Sequence, residues 1–366
     1  MRRFLTVILC AGLLLTLIPT SKGADISAAS YVLMDGDSGR VLAEKNCHER
    51  RLIASITKLM TGLVALESGH SLDEEVTISP EWAGAEGSSI YLVPGERVSL
   101  ETLLYGMLLR SGNDAALSVA GSCGESVEDF VAAMNRKAVE LGMTDSHFAN
   151  PNGLNADEHY STAYDMALLA RACLQNEEMA KIVSTKSATF GTRIFTNHNK
   201  LLWRYPGCIG MKTGYTEKAG RTLVSAAQRD GMTLICVTLD APNDWADHTA
   251  LLDAGFQQYH CETLVERGGA VCDLPVAGSL TPFCTVIAAQ SVQVALKAGE
   301  IPQPELHLIE EQITAPVLPD TVVGELIYYL NGEEIGRTDL MTEASIPSDL
   351  APKRNLLERL LTPLLK

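Results

Sequence analysis

Apolar and polar positions along this 366-residue chain follow two rhythms, and the switches between them outline its elements. Residues 30–34 (Ser-Tyr-Val-Leu-Met) and 40–44 (Arg-Val-Leu-Ala-Glu) are short apolar-rich runs around Asp35-Gly36-Asp37-Ser38-Gly39, which predicts an opening β-hairpin. Leu59, Met60, Leu63, Val64 and Leu66 then recur at helical spacing, so a buried helix starts at or just before Ser55. Leu103, Leu104, Met107 and Leu108 mark a helix over 100–109. Ser111-Gly112-Asn113 breaks that period and reads as a loop between two helices. Helical patterning resumes over 114–120, over 126–141, where Ser126 and Asp129 resemble a capping box, and over 162–174. Residues 147–155 are rich in turn formers and have no period.

Residues 208–212 predict a strand, 221–228 and 232–239 a hairpin around Asp230-Gly231, and 245–259 a closing helix. Strands at both ends with helices between them predict an α/β (α+β) domain. Its antiparallel sheet carries flanking helices and a helical subdomain on one side. From Cys261 short β-rich runs alternate with Gly and Pro, as in 325–330, Asn331-Gly332 and 333–336. The expected organisation is a main domain over 24–260, a small β-rich domain over 261–350 and a tail over 351–366. A chain this long exceeds one ordinary core, in keeping with two domains.

The two ends change the picture. Met1-Arg2-Arg3, an apolar run over 4–18 and Ser21-Lys22-Gly23 read as a secretory signal peptide over 1–23, too short to span a bilayer. A lipoprotein reading through Cys10 is poor, because bulky Leu9 precedes it. The expected location is the outer face of the cytoplasmic membrane, in the cell-wall space. In the tail, Leu356, Leu357, Leu360, Leu361, Leu364 and Leu365 share one half of a helical wheel. Lys353, Arg354, Arg359 and Lys366 outnumber Glu358 there. That pattern reads as a helix lying on a membrane surface; the other reading is a helix packed on its own body or on a second copy.

The formal charge of −16 excludes nucleic acid as a partner. Of nine cysteines, Cys10 falls in the signal. The other eight have irregular spacings and several sit in apolar patterns, so mostly free thiols are expected. No Cys-x-x-Cys or His-Glu-x-x-His occurs; neither a metal site nor a cofactor is expected, and the scattered histidines take surface or capping roles.

Candidate chemistry centres on Ala54-Ser55-Ile56-Thr57-Lys58, because no other serine has a lysine three positions later. On a helix those two side chains share a face. Serine needs a base to become nucleophilic, and lysine serves only if its pKa falls well below about 10.4. A helix N-terminus and a second cation would both act that way. Ser111-Gly112-Asn113 and Lys212-Thr213-Gly214 follow in order. The three motifs together resemble the penicillin-recognising serine enzymes. The residues from Tyr205 to Thr216 with Ala219-Gly220, and those from His159 to Ala167, look like the D-alanyl-D-alanine carboxypeptidases, the low-molecular-weight penicillin-binding proteins.

The resemblance runs from about Ser27 to the chain end and implies a transpeptidase-like fold with its site between the two parts of the main domain. It implies a hydrolase that removes the last D-alanine from peptidoglycan stem peptides ending in D-Ala-D-Ala, with β-lactams as covalent inhibitors. Ser55 would be the nucleophile, Lys58 its base and Ser111 a proton relay to the departing D-alanine. Asn113 would hold the peptide amide and Lys58. Lys212 and Thr213 would hold the terminal carboxylate, Lys212 also lowering the pKa of Lys58. Gly214 and Tyr215 continue the substrate-binding strand, and the backbone N–H groups of Ser55 and Tyr215 would form the oxyanion hole. Two other readings are a β-lactamase and a non-catalytic penicillin sensor. The first needs a deacylating carboxylate, and Asp157 and Glu158 do not fall in that pattern; Gly112 in place of aspartate also points to the peptidase. The second would carry a membrane span and a signalling domain. The motifs specify neither the residue before D-Ala-D-Ala nor the group that activates the deacylating water. Arg221 stands where relatives often carry another residue type.

Overall fold

A hairpin that opens the domain and a hairpin that nearly closes it pair with each other, which ties distant parts of the chain into one sheet. In the computed structural model, which describes residues 25–349, the order from one edge is Val41–Lys45, Ser30–Asp35, Met232–Leu239, Gly220–Arg229, Cys208–Gly210. Thr213–Thr216 also pairs with Gly220–Arg229, and every pairing is antiparallel. The expected signal peptide and leucine-striped tail lie outside the described residues.

The sheet is covered on both faces, which accounts for the largely apolar strand Met232–Leu239, buried at every position. Ile235, Val237 and Leu239 join the larger core with the helices Lys58–Glu67, Leu100–Arg110, Asn113–Cys123 and Ala163–Gln175. Leu234 and Cys236 face the other way, against Leu251 and Leu252 of the Asp244–Gln258 helix. The helices begin where their caps dictate: Ser126 accepts from the Asp129 N–H, and Thr162 from the Asp165 N–H.

Several local expectations need correction. Only Ser111 and Gly112 separate the two helices; Asn113 is already the first residue of the second. The strand expected over 208–212 is broken at Met211, whose φ of 97° bends the chain, yet Lys212 still exchanges both backbone hydrogen bonds with Val224. The Glu177–Ser184 helix and the Ser187–Phe190/Arg193–Thr196 hairpin escaped the sequence reading, because each is short and buries only a few side chains. All eight cysteines among the described residues are free.

Tyr259–Val265 leads into a second, β-rich unit. There Val292–Lys297 pairs with Tyr259–Val265, and a six-stranded sheet encloses a separate core around Leu274, Val286, Leu326 and Leu340. Asn331 and Gly332, both at positive φ, form the tight turn of its longest hairpin. Arg40 links the two units: its guanidinium donates to both oxygens of Glu300 at 2.7 and 2.8 Å and to Ala295 O at 2.7 Å. Asp35 accepts the Ala295 N–H from the same hairpin at 2.9 Å.

A forked, largely buried arginine–carboxylate pair is worth more than a surface ion pair. Arg40→Met should therefore destabilise the protein by about 1.5–3 kcal/mol and speed proteolysis at the junction near Tyr259. Thermal melts and limited proteolysis check this; wild-type behaviour in both would mean Arg40 does not join the units.

Candidate active site

The Lys58–Glu67 helix is entered through a 3₁₀ turn, Ala54–Thr57, that carries Ser55. Ala54 lies in the left-handed region at φ 50°, unfavourable for a residue with a Cβ. Ser111 at φ 62° and Met211 at φ 97° share this feature, so each of the three motifs contains or adjoins one strained non-glycine residue. The surroundings fix the Ala54 turn. Thr57 donates its hydroxyl to Ala54 O at 2.8 Å, and His159 Nε2 lies 2.8 Å from that same hydroxyl oxygen. The Ala149 N–H donates to His159 Nδ1, so the imidazole proton sits on Nε2 and points at Thr57. Burial, aided by His147 and Lys58, pushes His159 down to about 4 and keeps it neutral. Gly153 presses on the turn from outside, and a Cβ there would lie 2.0 Å from Ala54 O. His159 thus departs from the surface or capping role expected of the histidines.

Lys58 is fully buried beneath Ser55. Its Nζ is 2.9 Å from Ser55 Oγ, 2.7 Å from Asn113 Oδ1 and 2.5 Å from Asn152 O. A neutral amine has two N–H groups and one lone pair. The two carbonyl oxygens take the N–H groups, which leaves the lone pair for the Ser55 hydroxyl. Burial is the main cause of a pKa far below the ordinary lysine value, with Lys212 adding to it and Asp114 opposing. The second cation expected from the sequence does act, but burial leads.

Asn113 is held from both sides, its Nδ2 donating to Glu86 O and its N–H donating to Ser88 O at 2.7 Å. Asp114 fixes the same segment by accepting from Ser89 Oγ and from the N–H groups of Ile90 and Leu92. Lys212 is also buried; its Nζ donates to Thr213 O at 2.8 Å, and burial pulls its pKa down to about 7. Gly214 runs against the Ser55 turn. A Cβ on it would come within 3.0 Å of Ser55 N and 2.3 Å of Thr222 Oγ1, so the strand approaches this closely only with glycine.

A cavity of about 610 Å³ opens over these groups. Ser55, Ser111, Thr213, Gly214 and Tyr215 line it, as do Arg221 and Asp244. Lys58, Asn113 and Lys212 lie beneath the lining. Every sequence-predicted site residue therefore falls at this cavity or under its floor. Asn152, Gly153, Thr57, His159 and Thr222 were not anticipated. Asn152 and Gly153 come from the period-free stretch 147–155, Thr57 and Thr222 from positions patterned as ordinary core, and His159 from a loop at the start of the stretch that carried the family resemblance. Asp244, the one carboxylate lining the cavity among the described residues, is buried and paired with Arg221 at 2.9 Å.

A serine hydroxyl against the amine of a buried lysine whose pKa is pulled well down, under an open cleft on a two-faced antiparallel sheet, marks a serine acyl-transfer enzyme. Residues 18–243 match the family model of D-alanyl-D-alanine carboxypeptidase, and residues 259–348 that of the penicillin-binding protein 5 C-terminal domain. The chain is 34% identical over 361 residues to D-alanyl-D-alanine carboxypeptidase DacF of Bacillus subtilis, covering 92% of this chain and 93% of that one. It is 34% identical over 345 residues to DacC of Escherichia coli, covering 89% and 86%. The crystal structure of penicillin-binding protein 5 from Haemophilus influenzae superposes with a TM-score of 0.76 at 30% identity, covering 88% of this chain and 98% of that one. The chain belongs to the D-alanyl-D-alanine carboxypeptidase family of serine peptidases.

Burying Lys212 costs stability wherever the unfolded chain would hold its proton. The cost is full below about pH 7 and fades as pH rises toward about 10.4, where the unfolded lysine also loses its proton. Lys212→Met should therefore raise Tm by a few degrees at pH 7 and by clearly less at pH 10, as read by calorimetry. A lower Tm at pH 7 would mean that the amine's bonds outweigh its desolvation.

Proposed function

We propose that Ser55 attacks the carbonyl between the two D-alanines of a peptidoglycan stem peptide, with Lys58 as its base. The observation that carries this is the buried Lys58 Nζ, its pKa pulled well below the ordinary lysine value, 2.9 Å from Ser55 Oγ. Lys58 takes the hydroxyl proton as the Oγ–carbon bond forms. The backbone N–H groups of Ser55 and Tyr215 meet the oxyanion. The carbon–nitrogen bond then breaks, and the proton passes through Ser111 to the departing D-alanine amine. Asn113 holds the Lys58 amine and the peptide amide. Thr213 meets the terminal carboxylate at the cavity wall, while Lys212 supplies positive charge from beneath. Lys58, neutral again, takes a proton from the water that cleaves the ester. With the cavity's one lining carboxylate tied to Arg221, no dedicated deacylating carboxylate favours a β-lactamase. A β-lactam should acylate Ser55 by the same route and leave slowly.

The reading extends to an exported enzyme at the outer face of the cytoplasmic membrane, peripherally held by the tail. Support comes from the basic, leucine-striped sequence of residues 351–366 and the apolar run behind Met1-Arg2-Arg3.

Ser55→Ala should abolish penicillin labelling and D-alanine release while leaving Tm near wild type. Mass spectrometry of the penicillin-treated variant checks it, and an adduct on another serine would refute the assignment.

Acylation requires Lys58 neutral and Lys212 charged. Acidification through the lowered Lys58 pKa should cut the rate of penicillin acylation. On the alkaline side Lys212 loses its proton above about pH 7, so KM for the peptide should rise there while kcat changes less. Replacing the terminal carboxylate by an amide should remove that alkaline rise. An identical rise with the amide would take Lys212 out of carboxylate recognition.

Asp349 closes the described body by accepting from Ser279 Oγ and Leu280 N. Truncation directly after it should release the protein from anionic vesicles, since each basic residue near such a surface is worth about 1 kcal/mol, yet leave D-alanine release intact. Co-sedimentation paired with a D-alanine assay decides it: equal sedimentation removes the anchor, and lost activity makes the tail part of the fold.

A further inference from the structure

On the face carrying the Val41–Lys45 edge strand, that strand runs into a turn whose residue Asn46 is left-handed at φ 48°. The turn folds Cys47 back onto Glu44 and leaves His48 beside them. One ligand atom from each of Glu44, Cys47 and His48 lies within 4.8 Å of the other two. Cys47 is buried; Glu44 and His48 are exposed. Among the described residues, the Glu44 carboxylate has no Lys or Arg partner and accepts only from the Cys47 thiol, at 2.6 Å. The His48 ring nitrogens make no hydrogen bond among the described residues, while the ring packs on Tyr164 with centroids 4.7 Å apart. Three donors of different kinds thus converge with no cation among them.

We propose that Glu44, Cys47 and His48 form a site for a borderline divalent cation, Zn²⁺ foremost, with water completing the tetrahedron. The donor set selects this class: thiolate and imidazole disfavour Mg²⁺ and Ca²⁺, and a carboxylate with them suits Zn²⁺. Tetrahedral bonds of about 2.0–2.3 Å place the ligand atoms roughly 3.5 Å apart. The set must therefore widen the Glu44–Cys47 contact and draw His48 in, which two exposed side chains anchored around a fixed cysteine have the freedom to do. Binding releases the Cys47 proton to solvent, so affinity rises with pH. The absence of either standard metal motif explains why the spacing Glu44-x-x-Cys47-His48 suggested nothing in the sequence.

The site has a structural consequence. Tyr164 donates its N–H to Cys47 O at 3.0 Å, and Arg51 exchanges both backbone hydrogen bonds with Ser161. The ligand turn therefore runs along the segment that positions His159. A bound cation would clamp that segment and raise Tm.

Titration of the full chain with Co²⁺ reads the site directly. The expected result is one equivalent bound, with a thiolate-to-cobalt charge-transfer band that competing Zn²⁺ removes and Cys47→Ser abolishes. His48→Gln, a change at an exposed residue, should weaken affinity more than tenfold, and Zn²⁺ should raise Tm in the wild type but not in this variant. Absence of the band at one equivalent overturns the proposal. So does an undiminished band in Cys47→Ser, or unchanged affinity in His48→Gln.

Discussion

An amine kept out of water and without its proton is the constraint on which the rest of this structure depends. An isolated charged ammonium at the Lys58 position would be heavily penalised, so the fold stabilises the neutral form. That form has two donors and one lone pair, and the surroundings use all three. Asn113 and the Asn152 carbonyl take the donors, and Ser55 the lone pair. Each partner comes from a different part of the chain, so the packing of the helical layer and its loops serves to bring them together. A second buried lysine, Lys212, adds its influence from the other wall.

Precision at this point requires unfavourable backbone. Ala54, Ser111 and Met211 all sit at positive φ without being glycine. Each lies where its chain must turn sharply to present a side chain to the cleft. The strain at Ala54 is offset by the His159–Thr57 relay and by Gly153, whose missing side chain makes room for the Ala54 carbonyl. Gly214 does the same for the opposing strand, allowing it within van der Waals reach of Ser55 N.

The parts of this arrangement legible in the sequence were those with a local signature. The opening hairpin showed as two short runs around a glycine-rich turn, and the Lys58–Glu67 helix as the spacing of Leu59, Met60, Leu63 and Val64. The three motifs were legible because residue type and order suffice to mark them. What could not be read was anything whose meaning lies in three dimensions. Asn152 contributes only a backbone carbonyl, which any residue has. Thr57 and Thr222 look like ordinary positions in a helix and a strand. His159 reads as a loop histidine until its burial is seen. The bend at Met211 is hidden because Lys212 keeps its ladder bonds while the strand kinks.

The most direct test of this account is the titration of the Lys58 side chain itself. Carbon-13 labelling at lysine Cε, with the resonance assigned by its loss in Lys58→Met, follows the protonation of that one amine by NMR. The account predicts a pKa far below the ordinary value of about 10.4. It also predicts that the value stays low in Lys212→Met, because burial rather than the neighbouring cation is the larger cause. Titration of Lys58 in the ordinary lysine range would contradict the account, since the amine would then carry its proton at neutral pH and have no lone pair to offer Ser55.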